Sequence, residues 1–131
     1  MRNDADRSAE EIAQGIARAM AEMRVADIGE FYAEEIVIWH NYDGATQSKS
    51  ENLAFVSNFL TLCEHVSYVD IDRQLTERGY VQQHNFKVKM KDGRTASVPC
   101  CHVVRVVRGY IHRIDEYLDP APIFKLMAQL P

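Results

Sequence analysis

Long apolar runs are missing from this 131-residue sequence, and nothing in it approaches the roughly 20 consecutive apolar residues of a membrane-crossing helix. The opening stretch, MRNDADRSAEE, lacks the apolar core of a secretory leader, so a cytoplasmic location is the expectation. Basic blocks are missing too. With 15 Lys and Arg against 19 Asp and Glu the formal charge is -4, which argues against nucleic acid or an anionic membrane as the main partner. Cysteine is scarce and odd in number. Cys63, Cys100 and Cys101 show no C-x-x-C spacing, so reduced thiols are expected rather than a disulfide framework or a zinc ribbon. No repeat, linker or low-complexity tract divides the chain, and residues 1–131 read as one domain whose 47% hydrophobic content fills a core. Small-molecule chemistry or protein contact remain.

What the chain does contain is periodicity. Ile12, Ile16, Ala19, Met20 and Met23 recur at helical spacing, with Glu10, Glu11, Gln14, Arg18 and Glu22 elsewhere around the helix. That predicts a helix from about Ser8 to Met23. A shorter helical piece, Val25 to Tyr32, leads into EEIVIWHN, whose β-rich apolar character predicts a strand ending near Asn41. Tyr42 to Gln47 reads as a loop. Ser48 and Glu51 have the spacing of a capping box, opening a helix to about Cys63. HVSYVDIDRQLTE reads as a strand of imperfect alternation, and Asp119-Pro120 supplies a cap and first position for a short closing helix. This order describes an α+β domain with helices packed on one face of an antiparallel sheet.

Residues 79–120 organise the rest. They read as three antiparallel strands joined by Lys91-Asp92-Gly93 and Val107-Arg108-Gly109, each turn closing on a glycine. A three-residue hairpin loop ending in a left-handed glycine preserves face parity between its strands. Even positions then share a mostly apolar face: Tyr80, Gln82, His84, Phe86, Val88 and Met90; Val98, Cys100, His102, Val104 and Val106; His112, Ile114, Glu116 and Leu118. In that register Cys100 faces both His84 and Glu116, with His102 one diagonal step from each. His84, His102 and Glu116 are polar groups set into a buried face, and such groups need an explanation.

The segments IVIWHNYDG (36–44), VQQH (81–84) and VPCCHVVRVVRGYIHRIDEYLDP (98–120) resemble the nuclear transport factor 2-like superfamily, which includes ketosteroid isomerase, SnoaL-like polyketide cyclases, scytalone dehydratase and limonene epoxide hydrolase. The resemblance implies a cone: a curved antiparallel sheet with helices packed on its concave face. Asn41 sits where ketosteroid isomerases place an aspartate base and where cyclase and epoxide hydrolase relatives use asparagine. An amide orients a water or substrate oxygen but is no base. His102 matches a cyclase histidine, and Glu116 falls where relatives carry an aspartate acid or base.

On this reading His102, Glu116 and Asn41 are catalytic. Glu116 takes or donates the proton and His102 polarises or assists, the apolar wall raising the carboxyl pKa and lowering that of histidine. Trp39 is expected at the pocket mouth, with Tyr80, Gln82, His84, Phe86, Cys100 and Ile114 along the wall where substrate binds. His84 and Cys100 are equally read as structural, a hydrogen-bonded histidine and an inert thiol. His40 is expected on the opposite face from Trp39 and Asn41. Asp119 is read as a helix cap and Asp115 as an ion-pair partner of Arg105 or Arg113. The function expected is cofactor-independent proton transfer on a small, apolar, oxygen-bearing molecule, by isomerisation, cyclisation, dehydration or epoxide opening. No metal is expected. The other reading is a non-catalytic ligand-binding or dimerising module, and in either case a homodimer through the outer sheet face.

Overall fold

A computed structural model describes residues 3–128. Two helices, α1 (Ala9–Ala21) and α2 (Val25–Gly29), precede strand β1 (Tyr32–His40), the two-residue strand β2 (Thr46–Gln47) and helix α3 (Lys49–Leu60). Four strands follow, β3 (Cys63–Thr76), β4 (Gly79–Met90), β5 (Thr95–Val107) and β6 (Tyr110–Leu118), and then helix α4 (Ala121–Ala128). Both longer helices open on a complete capping box, Ser8 with Glu11 and Ser48 with Glu51. Asp119 Oδ1 accepts from the Ala121 amide at 3.0 Å, ahead of α4. Met23, expected inside the first helix, instead takes φ 57° beyond its end. Thr46 and Gln47, expected in a loop, pair with β1.

The fold is α+β, with a curved, open sheet in the order β2-β1-β6-β5-β4-β3. It is not wholly antiparallel, because β1 runs parallel to β6. The β4–β5 hairpin has the expected three-residue loop, with Gly93 at φ 92°, and pairs Gln82 with His102 and His84 with Cys100. The β5–β6 hairpin differs. Val107 pairs with Tyr110, leaving a two-residue turn in which Arg108 and Gly109 both have positive φ, 50° and 80°. Such a tight turn matches the strand twist. Any Cβ on Gly109 would lie 1.9 Å from the Asp4 carbonyl oxygen, so only glycine fits there.

That turn alone would invert the faces of β6. A bulge between the Arg105–Arg113 and Val106–Ile111 pairs inverts them again, so parity is restored while register slides. The result corrects the expected pairing: His102, not Cys100, stands directly opposite Glu116, and Cys100 stands opposite Leu118. Before the bulge parity is reversed. Ile111 is fully buried there, and His112, expected inward, contacts Glu35 at 3.3 Å.

Helices cover the inner face and divide its apolar content in two. Ile12 and Ile16 of α1 and Ile28 of α2 pack with Ile36, Ile38, Tyr80, Val104, Ile111 and Ile114 at one end. Leu60, Cys63, Val66, Val88, Met90 and Leu126 form the other. Between these two clusters β4 carries Gln82 and His84, and β5 carries His102.

Candidate active site

The strand register gathers five polar side chains across the middle of the inner face. His40 on β1 is level with Glu116 on β6, Glu116 with His102 on β5, and His102 with Gln82 on β4; His84 lies two residues further along β4. The Glu116 carboxylate bridges two imidazoles: Oε2 is 2.5 Å from His102 Nε2 and Oε1 is 3.3 Å from His40 Nε2. His40 and His102 are buried, while 24% of the Glu116 side chain remains exposed. The His84 ring stands edge-to-face to His102 at 4.8 Å and stacks on Tyr68 at 4.0 Å.

A second line of contacts reaches this cluster from the sheet edge. Arg73 on β3 gives Nη1 to Glu10 on α1 at 2.7 Å and Nε to Gln82 Oε1 at 2.9 Å. Gln82 Nε2 is 2.9 Å from His84 Nδ1. A further buried chain runs beside it, Tyr32 Oη donating to Asn52 Oδ1 and Asn52 Nδ2 to Gln47 Oε1, both at 2.9 Å.

Electrostatics here depart from what an apolar wall alone would do. Burial pushes the Glu116 carboxyl upward, but the charge and hydrogen bond of His102 and those of His40 outweigh it, holding the carboxyl well below the usual range. The expectation of a raised carboxyl pKa is corrected by the two-histidine clasp. His40 is raised by its hydrogen bond to Glu116, against the opposing effect of burial. For His84, burial together with the nearby His102 charge outweighs the opposing effect of Glu116 and pushes its pKa down to about 3. Glu116 is therefore ionised at neutral pH and accepts Nε2–H from both flanking rings, while His84 stays neutral.

Several expected positions are changed. Ile36 and Ile38 are each 2% exposed, and alternation then carries His40 inward and Trp39 outward. Trp39 meets Tyr117 edge-on at 5.3 Å on the outer face, so it does not line the inner site. Asn41 lies past the strand end, exposed, its Oδ1 accepting from the Leu118 amide at 3.0 Å. Its own amide donates to the Glu116 carbonyl oxygen at 3.1 Å, so it ties β1 to β6. Tyr80 and Ile114 belong to the first apolar cluster. Phe86 is half-buried, 5.7 Å from Tyr68 and 6.2 Å from Phe59. Cys100 is buried with its thiol directed to the Val98 carbonyl oxygen at 3.4 Å, and burial lifts its pKa to about 12, an unreactive thiol.

Sequence reasoning missed His40 and Tyr68. The signal for His40 was Ile36-x-Ile38-x-His40, but Val37 and Trp39 are apolar as well, so period two did not choose a face. Asp115 takes the expected ion-pair role, 2.9 Å from Arg113 Nε. Two hollows of about 360 and 490 Å³ are present, the first beside Gln83, His84, Asn85, Cys100, Cys101 and Tyr117, the second beside Val81, Val103, Val104, Arg105 and Arg113. Neither is lined by His102 or Glu116.

A family model described as a SnoaL-like domain matches residues 13–114. No functionally curated protein matches the sequence. Among solved structures, the chain is similar to a Bacillus subtilis protein named as a candidate isomerase, with TM-score 0.81 and 14% identity over 98% of each chain. It is similar to a Catenulispora acidiphila protein of ketosteroid isomerase-like fold, solved with trimethylamine, with TM-score 0.77 and 15% identity over 92% of this chain and 94% of that one. TerC, co-crystallised with polyporic acid, gives TM-score 0.77 and 13% identity over 92% of this chain and 98% of that one.

Proposed function

The chain belongs to the SnoaL-like domain family, and on that premise we propose that it is a cofactor-independent enzyme in which His102 and His40, held by Glu116, exchange a proton with a small, largely apolar, oxygen-bearing substrate. The observation that carries this is the Glu116 carboxylate bridging His102 Nε2 and His40 Nε2. A carboxylate that pins one ring nitrogen fixes the tautomer and leaves the other nitrogen as the acid or base. Proton exchange therefore falls to the histidines and orientation to Glu116, the reverse of the division expected from sequence. Removal of a proton next to a carbonyl and its return elsewhere is the common core of isomerisation and aldol-type cyclisation, and dehydration and epoxide opening use the same groups. The small molecules held by two similar structures, trimethylamine and polyporic acid, support a ligand-holding cone.

Turnover of a panel of ketones, lactones and epoxides, followed by NMR, tests this reading. Glu116→Gln should lower the rate on any converted compound by roughly 100-fold to 10,000-fold, the range expected of positioned acid–base catalysis. Equal turnover by the variant overturns the assignment.

A dimer through the outer face is part of the same proposal. Val103, Tyr117 and Val107 are exposed there at 40, 44 and 43%, beside Trp39, Arg105, Arg113 and Asp115. An exposed apolar patch with charged neighbours is the composition of a protein contact. Light scattering giving a monomer mass at micromolar concentration would contradict it.

A further inference from the structure

Of the three histidines in the inner cluster, His84 is the one whose role the bridging carboxylate does not explain. It is 4% exposed, and among the described residues its Nε2 is sealed from solvent without a hydrogen-bond partner. Its other nitrogen settles which tautomer it holds. Arg73 has only donors, so the Gln82 atom 2.9 Å from its Nε is the carbonyl oxygen. The Gln82 amide nitrogen must then face His84, and an amide nitrogen only donates, so Nδ1 is the acceptor. The proton of the neutral ring sits on Nε2. A buried N–H without an acceptor is a costly arrangement, and in a native protein each such group calls for an explanation, a role in binding or catalysis among them.

We propose that His84 is the hydrogen-bond donor for an acceptor oxygen of the bound molecule, held in the donating tautomer by Arg73 and Gln82, and that the molecule is therefore a carbonyl compound. The geometry suits this. The ring lies 4.8 Å from His102, so a carbonyl oxygen received by His84 puts the adjacent carbon beside the imidazole proposed to move the proton. Charge that develops on the oxygen as that proton leaves would meet a preorganised donor in a dry setting. Glu10 anchors the far end of the chain by holding Arg73 at 2.7 Å. The acceptor reaches Nε2 only as Tyr68 or His102 moves aside, a side-chain change of the sort common on binding. This deepens the enzyme reading by naming the substrate class, and its binding test needs no turnover, so the two fail separately.

The experiment uses the full chain with ¹⁵N-histidine and a matched pair of probes, 2-tetralone and its hydrocarbon tetralin. Long-range ¹H–¹⁵N spectra of the free protein should show His84 as the Nε2–H tautomer, and Gln82→Met should mix the tautomers. The ketone should bind roughly threefold to tenfold tighter than tetralin, the effect of one net hydrogen bond, and should shift the Nε2 proton. In His84→Phe, which keeps the stack on Tyr68, that preference should vanish while tetralin affinity holds. An Nδ1–H tautomer, absence of ketone binding up to its solubility, or an undiminished ketone preference in His84→Phe would each overturn the proposal. If His84→Phe fails to fold, the wild-type tautomer and the ketone-to-hydrocarbon ratio decide it.

Discussion

The inner face of the sheet has apolar ends and a polar middle, and the two are held by different physics. At the ends, Ile12, Ile28, Ile111 and Val66 are at most 1% exposed, and their stability comes from area removed from water and close packing. In the middle, His40, Gln82, His84 and His102 are buried almost as well, but each was taken from water at a cost that only named partners offset. The ends respond to lost volume and are indifferent to pH. The middle should respond to protons and to single lost partners. That difference supports the proposal of a site in the middle, because a sheet needing only stability gains little by burying histidines where valine would pack.

The largest effect should come from hollowing an end. Ile111→Ala removes a fully buried side chain at the point where the β6 bulge turns it inward, and urea denaturation should show a loss of roughly 2 to 5 kcal/mol. The loss should be the same at acid and neutral pH. A strongly pH-dependent loss would break the separation between ends and middle.

Next in size are the pH limbs of the middle, where signs differ residue by residue. His84 has a folded pKa of about 3 against an ordinary 6.5, so between these values the unfolded chain binds the proton first and stability falls with falling pH. Glu116, held below its ordinary 4.5, adds to that loss at the acid end. His40 is raised, so its contribution is complete below 6.5 and is lost as pH rises through its folded pKa. Urea midpoints across pH should therefore form a dome. His84→Phe should flatten the acid limb between about 6.5 and 4.5, and His40→Gln should flatten the alkaline limb. Unchanged slopes in both variants would show that these groups do not titrate as their contacts dictate.

A smaller effect should follow at the border of the two regions. Tyr32 packs in an apolar end yet gives its hydroxyl to Asn52 at 2.9 Å. Tyr32→Phe keeps the ring and orphans the buried Asn52 oxygen, for a loss of roughly 1 to 3 kcal/mol. A neutral result would mean that the Asn52–Gln47 bond suffices and that the apolar end reaches further than the clusters suggest.

The ends were easier to read from sequence than the middle, for a physical reason. Apolar spacing places α1, α3 and the inward residues of β4 and β5 because burial is a property of each residue alone. The Gly93 turn was legible as well, since its glycine at the left-handed position fixes one loop type. Val107-Arg108-Gly109 was not, because Arg108 at φ 50° carries no signature of the tighter turn and no residue type marks the bulge that compensates it. The two errors of parity cancelled, so His102 and Glu116 were assigned to the correct face with an incorrect register. On β1 both faces are apolar, and the choice between Trp39 and His40 depended on a parallel partner, β6, that lies 70 residues or more along the chain. The state of Glu116 followed from that choice, because His40 supplies half of its clasp.

Helix α3 offers the finest test, since it spans both ends while leaving the polar middle untouched. Leu53 and Val56 reach the first cluster, and Val56, Phe59 and Leu60 the second. Its first turn depends on the capping box, in which Ser48 Oγ accepts from the Glu51 amide at 3.3 Å and Glu51 Oε1 accepts from the Ser48 amide at 2.9 Å. Ser48→Ala removes the side-chain half of that exchange and should cost about 1 kcal/mol, read as a drop in thermal midpoint of a few degrees. Above the ordinary carboxyl value of 4.5 both pH limbs should keep their slopes, since the titrating group that Ser48 holds is Glu51, whose carboxyl its hydrogen bonds lower, and not His40, His84 or Glu116. If the cap variant changed those slopes, α3 would be positioning His40, His102 and Glu116 as well as roofing the core, and the ends and the middle would have to be treated as one coupled unit.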